Sequence, residues 1–303
     1  MDIEATKFYI RHREGYPETE MQDYARRGMW TLNVETVPYE WVTDILSMSD
    51  LGPTVGIAGY VDDIHHALQC MGKPVPDPVD YPEELKEFLG RNIVRGTLED
   101  LRRRPGCSMF VKPVEHKIFT GFVWEGDSES RRRIVTHRDE TPVWISEPLK
   151  MITEWRCFIL RNKVLAAHRY KGVWDRVPDR KVVLAAAEAM RKNAPAAYCL
   201  DFAVTDDDKT VLVEMNDGYA FGHYGLHPVS YAQMLSARWY ELAGNEGSEQ
   251  PIRSPGTDLP CDLRLLRGSL REREEERIRQ GIYEVWETKA RRDWAKNDKD
   301  RRT

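Results

Sequence analysis

Asp201, Glu214 and Asn216 are spaced for binding a hard divalent cation. Residues 198–204 and 210–216 read as two apolar strands, and the polar run Asp206, Asp207, Asp208, Lys209 makes a turn between them. Such a hairpin sets Asp201 beside Glu214. Alternate strand residues share a face, so Glu214 and Asn216 point the same way. Two carboxylates and an amide oxygen on one face suit Mg²⁺, which takes few protein ligands and leaves the rest of its shell to water and phosphates. Mn²⁺ is the alternative ion. The plain reading is a hairpin whose polar face meets solvent, and the hairpin alone does not choose between the two.

Further charged residues stand upstream in a definite order. Lys112 interrupts an apolar strand over 109–113, and a polar turn with Lys117 and Gly121 follows. Residues 143–147 read as a strand ending on Glu147, just before Pro148 and Leu149. A second hairpin carries Glu154 and Arg156 near its start and Arg169 near its end. Each has an ordinary explanation. A strand lysine can hold its ammonium in water, and an acid before proline can simply end a strand. Glu154 and Arg156 can pair across solvent for little gain. The sequence of all these residues together is what carries information.

That order resembles the ATP-grasp family, most nearly its RimK-like branch of ribosomal-protein glutamate ligases, with a weaker likeness to D-alanine–D-alanine ligase. The resemblance covers about residues 105–230, and 1–240 more loosely. It implies that Lys112 contacts nucleotide phosphates and that 114–121, with Lys117 and Gly121, closes over them. It implies that Glu147 and the backbone of 145–149, through Pro148 and Leu149, meet the adenine edge, and that Glu154 binds the ribose. Arg156 and Arg169 would face phosphate or an acyl phosphate, which suits the planar guanidinium fork. Asp201, Glu214 and Asn216 would hold Mg²⁺. The glycine-containing loop after Asn216 would receive substrate, with a backbone N–H near Gly222 or Gly225 facing the developing oxyanion. Two departures stand out. The loop 114–121 has one glycine where many relatives have several, and the usual additional phosphate-binding cation is not marked, leaving Arg91 and Arg95 as candidates.

The implied activity is an ATP- and Mg²⁺-dependent carboxylate–amine ligase that forms an amide through an acyl phosphate. Its partners would be ATP, a carboxylate substrate and an amine acceptor such as an amino acid, peptide or protein. The alternatives are a non-catalytic ATP-binding regulator and an ATP-grasp-type kinase. Tyr9, Arg11, His12, Tyr219, His223 and Tyr224 are candidate substrate contacts.

The elements that must position these residues divide the chain into an expected series. Strands near 7–12 and 54–59 and helices near 18–28 and 61–71 predict an open α/β unit over 1–80. Pro74, Pro76, Pro78 and Pro82 mark an extended connection rather than a helix. Helical pieces follow over 82–101, broken near Gly90. A small central ATP-grasp subdomain is expected over 81–145 and a large one with the metal site over 146–243, including helices near 182–190 and 228–243. The expected fold class is therefore α/β (α+β), an ATP-grasp fold with a pre-ATP-grasp N-terminal subdomain. Residues 244–262 read as a linker and 263–303 as a charged helix with a Trp/Ile stripe.

Bulk properties bound these readings. The chain has 303 residues and a net charge of −5, which makes no general case for nucleic acid as partner. Residues 263–303 hold 13 basic against 9 acidic residues, so that tail runs counter to the rest. Five cysteines without CxxC spacing favour reduced thiols, with Cys157 and Cys199 as core residues. Neither a signal-like apolar stretch nor a run of membrane-span length is evident, so a cytoplasmic location and no membrane partner are expected. His65 and His66 are expected at the surface of their helix.

Overall fold

A computed structural model describes residues 3–12, 20–46, 50–104, 106–115 and 118–244. The expected linker beyond Gly244 and the charged helix over 263–303 lie outside the described residues, as does Lys117. Among the described residues no helix is long and apolar enough to cross a membrane.

Three sheets follow one another along the chain. The first is parallel, with β1 (Lys7–Arg11) between β2 (Glu35–Tyr39) and β3 (Val55–Ala58). Helices α1 (Glu20–Thr31), α2 (Val42–Leu46) and α3 (Val61–Cys70) make the crossovers that parallel strands require. The sequence did not mark β2, because Pro38 removes a ladder donor; an edge strand, paired here on one side only, tolerates that. His65 and His66 are half-buried rather than exposed. His65 Nε2 lies 2.9 Å from the Tyr219 hydroxyl, and His66 Nδ1 lies 2.5 Å from the Asp62 carbonyl.

The second sheet is antiparallel, in the order β4 (Ile93–Thr97), β7 (Pro142–Ser146), β5 (Met109–Pro113), β6 (Phe122–Trp124). Helices α4 (Leu98–Arg102) and α5 (Ser128–Arg133) belong to the same part of the chain. Its core gathers Leu98, Leu101, Val111, Trp124, Ile134 and Val143. Strand β4 replaces part of the expected helical stretch over 82–101. Gly96 lies where a Cβ would approach the Ile145 side chain to 2.9 Å, so β4 fits closely against β7. The expected helical turn before it is a short 3-10 helix, Glu83–Phe88.

The third sheet is also antiparallel, in the order β11 (Thr210–Asp217), β10 (Ala197–Thr205), β8 (Met151–Leu160), β9 (Lys163–Gly172). One face packs on α6 (Arg180–Met190), joining Cys157, Ile159, Tyr198, Leu200 and Phe202 to Val183 and Ala186. The opposite face is divided. At one end Phe158, Leu160, Ala197 and Cys199 enter the core of the first sheet, and at the other the same strands present charged side chains. Both Cys157 and Cys199 are fully buried, as expected.

Helix α7 (Pro228–Gly244) returns from the third sheet to pack on α1 and β3. Its contact with α1 is tight at Gly28, where a Cβ would lie 2.0 Å from the Pro228 carbonyl oxygen. Trp239 fills the joint and donates its indole N–H to the Gly52 and Val55 carbonyls at 2.9 and 3.1 Å. Arg238 donates to both Asp217 oxygens at 2.7 Å, fixing α7 to the end of β11.

Candidate active site

The charged end of the third sheet follows from its register. Arg156 pairs with Asp201 across β8 and β10, and Asp201 pairs with Glu214 across β10 and β11. Paired antiparallel residues share a face, and Asn216 lies two residues beyond Glu214, so all four side chains meet. Arg156 grips Asp201 with Nε to Oδ1 at 2.8 Å and Nη2 to Oδ2 at 2.7 Å. The Asn216 amide donates at 3.3 Å to both Asp201 Oδ2 and Glu214 Oε1, so it stands between the two carboxylates. A bulge between β10 and β11 leaves Val213 unpaired and turns Glu214 onto the face of Asp201.

Lys112, from β5 of the second sheet, reaches across to Glu214 Oε2 at 2.6 Å. Its ammonium also donates to Asp80 Oδ1 at 2.7 Å and lies 4.9 Å from the centre of the Tyr81 ring. The lysine strand and the carboxylate strands are therefore two walls of one cleft.

Glu154, on the same face as Arg156, is only 8% exposed; its carboxylate accepts from the Tyr170 hydroxyl at 2.9 Å and from Lys171. Tyr170 stacks on Tyr224 at 4.7 Å, and the Arg156 guanidinium lies 4.8 Å from the Tyr224 ring. Tyr224 holds φ at 41°, a conformation non-glycine residues rarely adopt, in the loop that follows the metal-type strand. Arg156 Nη1 also donates to the Gly222 carbonyl at 3.3 Å, tying that loop to Asp201. The Gly225 N–H donates to His223 Nδ1 at 2.9 Å, so that donor is already committed.

Electrostatics follow from burial and pairing. Burial works against charge on Lys112, but Glu214, Tyr81 and Asp80 outweigh it and raise its pKa. Burial likewise opposes the charge on Glu214, and Lys112 more than reverses this, so its pKa is lowered. Arg156 is buried too, and the Asp201 carboxylate holds it firmly charged. Burial dominates at Asp201 and pushes its carboxyl upward, with Arg156 restraining the rise.

The other candidates fall in different places. Arg169 pairs with Trp155, which alternates with Arg156, so it points off the other face; its Nη1 donates to the Gly172 carbonyl at 2.5 Å. The structure does not bring it to the cluster. Glu147 is exposed in the connection between β7 and β8 with Pro148 and Leu149, and accepts from the Asn92 N–H at 3.1 Å. Gly121 sits against β5, where a Cβ would come within 3.1 Å of the Lys112 Cβ. Arg91 donates to the Leu212 and Val213 carbonyls at 2.8 and 3.1 Å, serving the bulge backbone rather than the cleft. In the first sheet, Tyr9 bonds Asp50, and Arg11 grips Asp63 through both carboxylate oxygens at 2.8 Å. Asp80 is the residue that sequence reasoning missed. It sits in the proline-studded connection, where the only signal is an acid among residues that cannot form regular structure.

The donor set fits a hard cation. Asp201, Glu214 and Asn216 converge, and rotating the Asn216 amide would turn its oxygen to the point its nitrogen now occupies between the carboxylates.

Residues 88–234 match the model of an ATP-grasp domain family, the second family of its clade. Among solved structures, the D-cycloserine synthetase DcsG aligns with a TM-score of 0.51 at 11% identity, covering 77% of this chain and 99% of that one. The N5-carboxyaminoimidazole synthetase of Staphylococcus aureus aligns with a TM-score of 0.51 at 8% identity, covering 79% of this chain and 78% of its own. A D-alanine–D-alanine ligase of Bacillus anthracis complexed with ATP gives 0.47 at 16% identity, covering 80% and 100%. No curated protein matches the sequence. The family match and the shared three-sheet architecture make the chain a member of the ATP-grasp superfamily, with its fold.

Proposed function

We propose that the chain is an ATP- and Mg²⁺-dependent ligase that activates a carboxylate as an acyl phosphate and transfers it to an amine. The observation that carries this reading is the meeting of Lys112 from one sheet with Asp201, Glu214 and Asn216 from the next. Phosphoryl transfer asks a protein for positioning and charge neutralisation more than for covalent chemistry. Bound at Asp201, Glu214 and Asn216, Mg²⁺ would supply charge neutralisation at the nucleotide phosphates.

The chain's own residues do the rest. Lys112 binds phosphate oxygens from the opposite wall. Arg156 fixes the Asp201 carboxylate and the Gly222 carbonyl together, so the loop from Gly218 to Leu226 is held in register with the phosphates. Glu154 stands on the same face to accept a ribose hydroxyl. Backbone beside Glu147, Pro148 and Leu149 lies in the connection between the two sheets, where it can meet an adenine edge. Tyr170 and Tyr224 wall the loop and exclude water around Arg156. The amine then displaces phosphate from the acyl carbon, and the amide forms.

The test is Mg²⁺-dependent ADP release over pooled amino acids and peptides, with Asp201→Ala and Glu214→Ala as controls. Amine-dependent turnover with a new amide, lost in both controls, is the expected result. ADP release with phosphate on a hydroxyl would make the protein a kinase. ATP binding without turnover in any pool would favour a regulator.

A further inference from the structure

Lys112 is the only described side chain that crosses from the second sheet to the metal-type carboxylates, and its surroundings are unusual for a phosphate-binding lysine. Its ammonium already has two carboxylate partners, Glu214 at 2.6 Å and Asp80 at 2.7 Å. Glu214 belongs to the proposed metal site. Asp80 does not. It comes from the connection between the first and second sheets and is 4% exposed. Three contacts hold it still: its Oδ1 on Lys112, its Oδ2 accepting from the Trp144 indole N–H at 3.3 Å, and its backbone carbonyl accepting from the Met215 N–H at 2.9 Å. Trp144 lies on β7 and Met215 on β11, so Asp80 is anchored to both walls of the cleft. Tyr81 closes the arrangement, edge-on to Trp144 at 5.2 Å and beneath the ammonium.

A cation needed only for phosphate binding has no need of a second fixed carboxylate. Two carboxylates offset more than its whole charge, and any phosphate must compete with them. Glu214 can turn toward a metal ion, but Asp80 is pinned and stays on Lys112 throughout.

Building on the ATP-dependent reading above, we propose that Asp80 is the standing counter-ion of Lys112. It is a positioning residue that aims the ammonium into the cleft and weakens its hold on nucleotide phosphates, so that spent nucleotide leaves. The proline-rich connection has a purpose on this account. Its extended backbone cannot join a helix, and it delivers one acid to the joint between two sheets.

The test is calorimetric titration of the full chain with ADP, in Mg²⁺ and in EDTA, for wild type, Asp80→Asn and Lys112→Gln. Asparagine keeps an oxygen acceptor for Lys112 and removes the charge. Removing one unit of negative charge beside a half-buried phosphate site should tighten ADP binding by about tenfold, in both buffers. Lys112→Gln should weaken it. A role confined to structure gives the opposite sign for Asp80→Asn, because loosening the cleft loses affinity. Wild-type binding in Mg²⁺ together with unchanged or weaker binding by folded Asp80→Asn overturns the counter-ion role alone. Failure of folded wild type to bind ADP in Mg²⁺ overturns the nucleotide reading, and the counter-ion role with it. If Asp80→Asn does not fold, Asp80→Ser carries the same comparison.

Discussion

Replacing Arg156 by methionine tests how the site is built. Methionine keeps an unbranched stem of similar reach and removes the guanidinium fork. Asp201, 2% exposed, then keeps only the Asn216 amide at 3.3 Å as a described side-chain donor. Breaking one partner out of a buried ion pair costs about 3–5 kcal/mol, since the other charge stays buried. For a domain of this size that lowers the melting temperature by roughly 10 °C. The loss should depend on pH, and the sign can be worked out. Burial pushes the Asp201 carboxyl above its ordinary value, and Arg156 is what restrains it. Without Arg156 the rise is larger. A carboxyl raised in the folded state binds more protons folded than unfolded, so it adds stability at acid pH and loses it as pH climbs through the raised value. The gap between wild type and Arg156→Met should therefore be widest near about pH 8 and narrow toward about pH 5. Urea titrations at both pH values measure it. The double variant Arg156→Met/Asp201→Asn should recover most of the loss, because the stranded charge is gone. A loss under about 1 kcal/mol, or an equal gap at both pH values, would refute the reasoning.

Other expectations follow from single contacts. Gly28→Ala places a Cβ 2.0 Å from the Pro228 carbonyl oxygen and 2.7 Å from the Ala232 Cβ; parting α1 from α7 should cost about 1–3 kcal/mol in a urea titration. Arg91→Met strips a donor from the Leu212 and Val213 carbonyls at the bulge, so stability should fall by about 1–3 kcal/mol and Mg²⁺-nucleotide affinity should fall with it as Glu214 loses its aim. Glu154→Ala should weaken ATP binding while leaving tripolyphosphate binding unchanged by calorimetry, because Glu154 is placed for the ribose. Equal loss for both ligands would remove it from that role.

Where the sequence was legible, the reason is periodicity. The two hairpins over 151–172 and 197–217 announce themselves by apolar runs around polar turns, and their register places Arg156, Asp201, Glu214 and Asn216 on one face. Helices α6 and α7 carry long runs of helix-forming residues. What stayed hidden depends on contacts between residues far apart in the chain. Asp80 looks like one more polar residue in a proline-rich stretch until the third sheet supplies Met215 and the second supplies Lys112 and Trp144. Arg91 could not be told from Arg95 by spacing, because its partners are bulge carbonyls about 120 residues downstream. Arg169 was misleading for a related reason. A bulge opposite Glu154 and Trp155 sets the phase of β9 there, and Tyr170 and Lys171, rather than Arg169, meet Glu154. Strands β2 and β4 carry a proline and a glycine that weaken the strand signal, and edge positions tolerate both.

The most direct test of the central claim follows the oxygen atoms of the carboxylate. The pool that supports amine-dependent turnover is supplied with its carboxyl groups labelled with heavy oxygen, and the released inorganic phosphate is analysed by mass spectrometry. An acyl phosphate formed in the cleft between Lys112 and Asp201 leaves one labelled carboxyl oxygen on phosphate for each amide made, with ADP as the other product. Label-free phosphate, or AMP and pyrophosphate in place of ADP, would contradict the account.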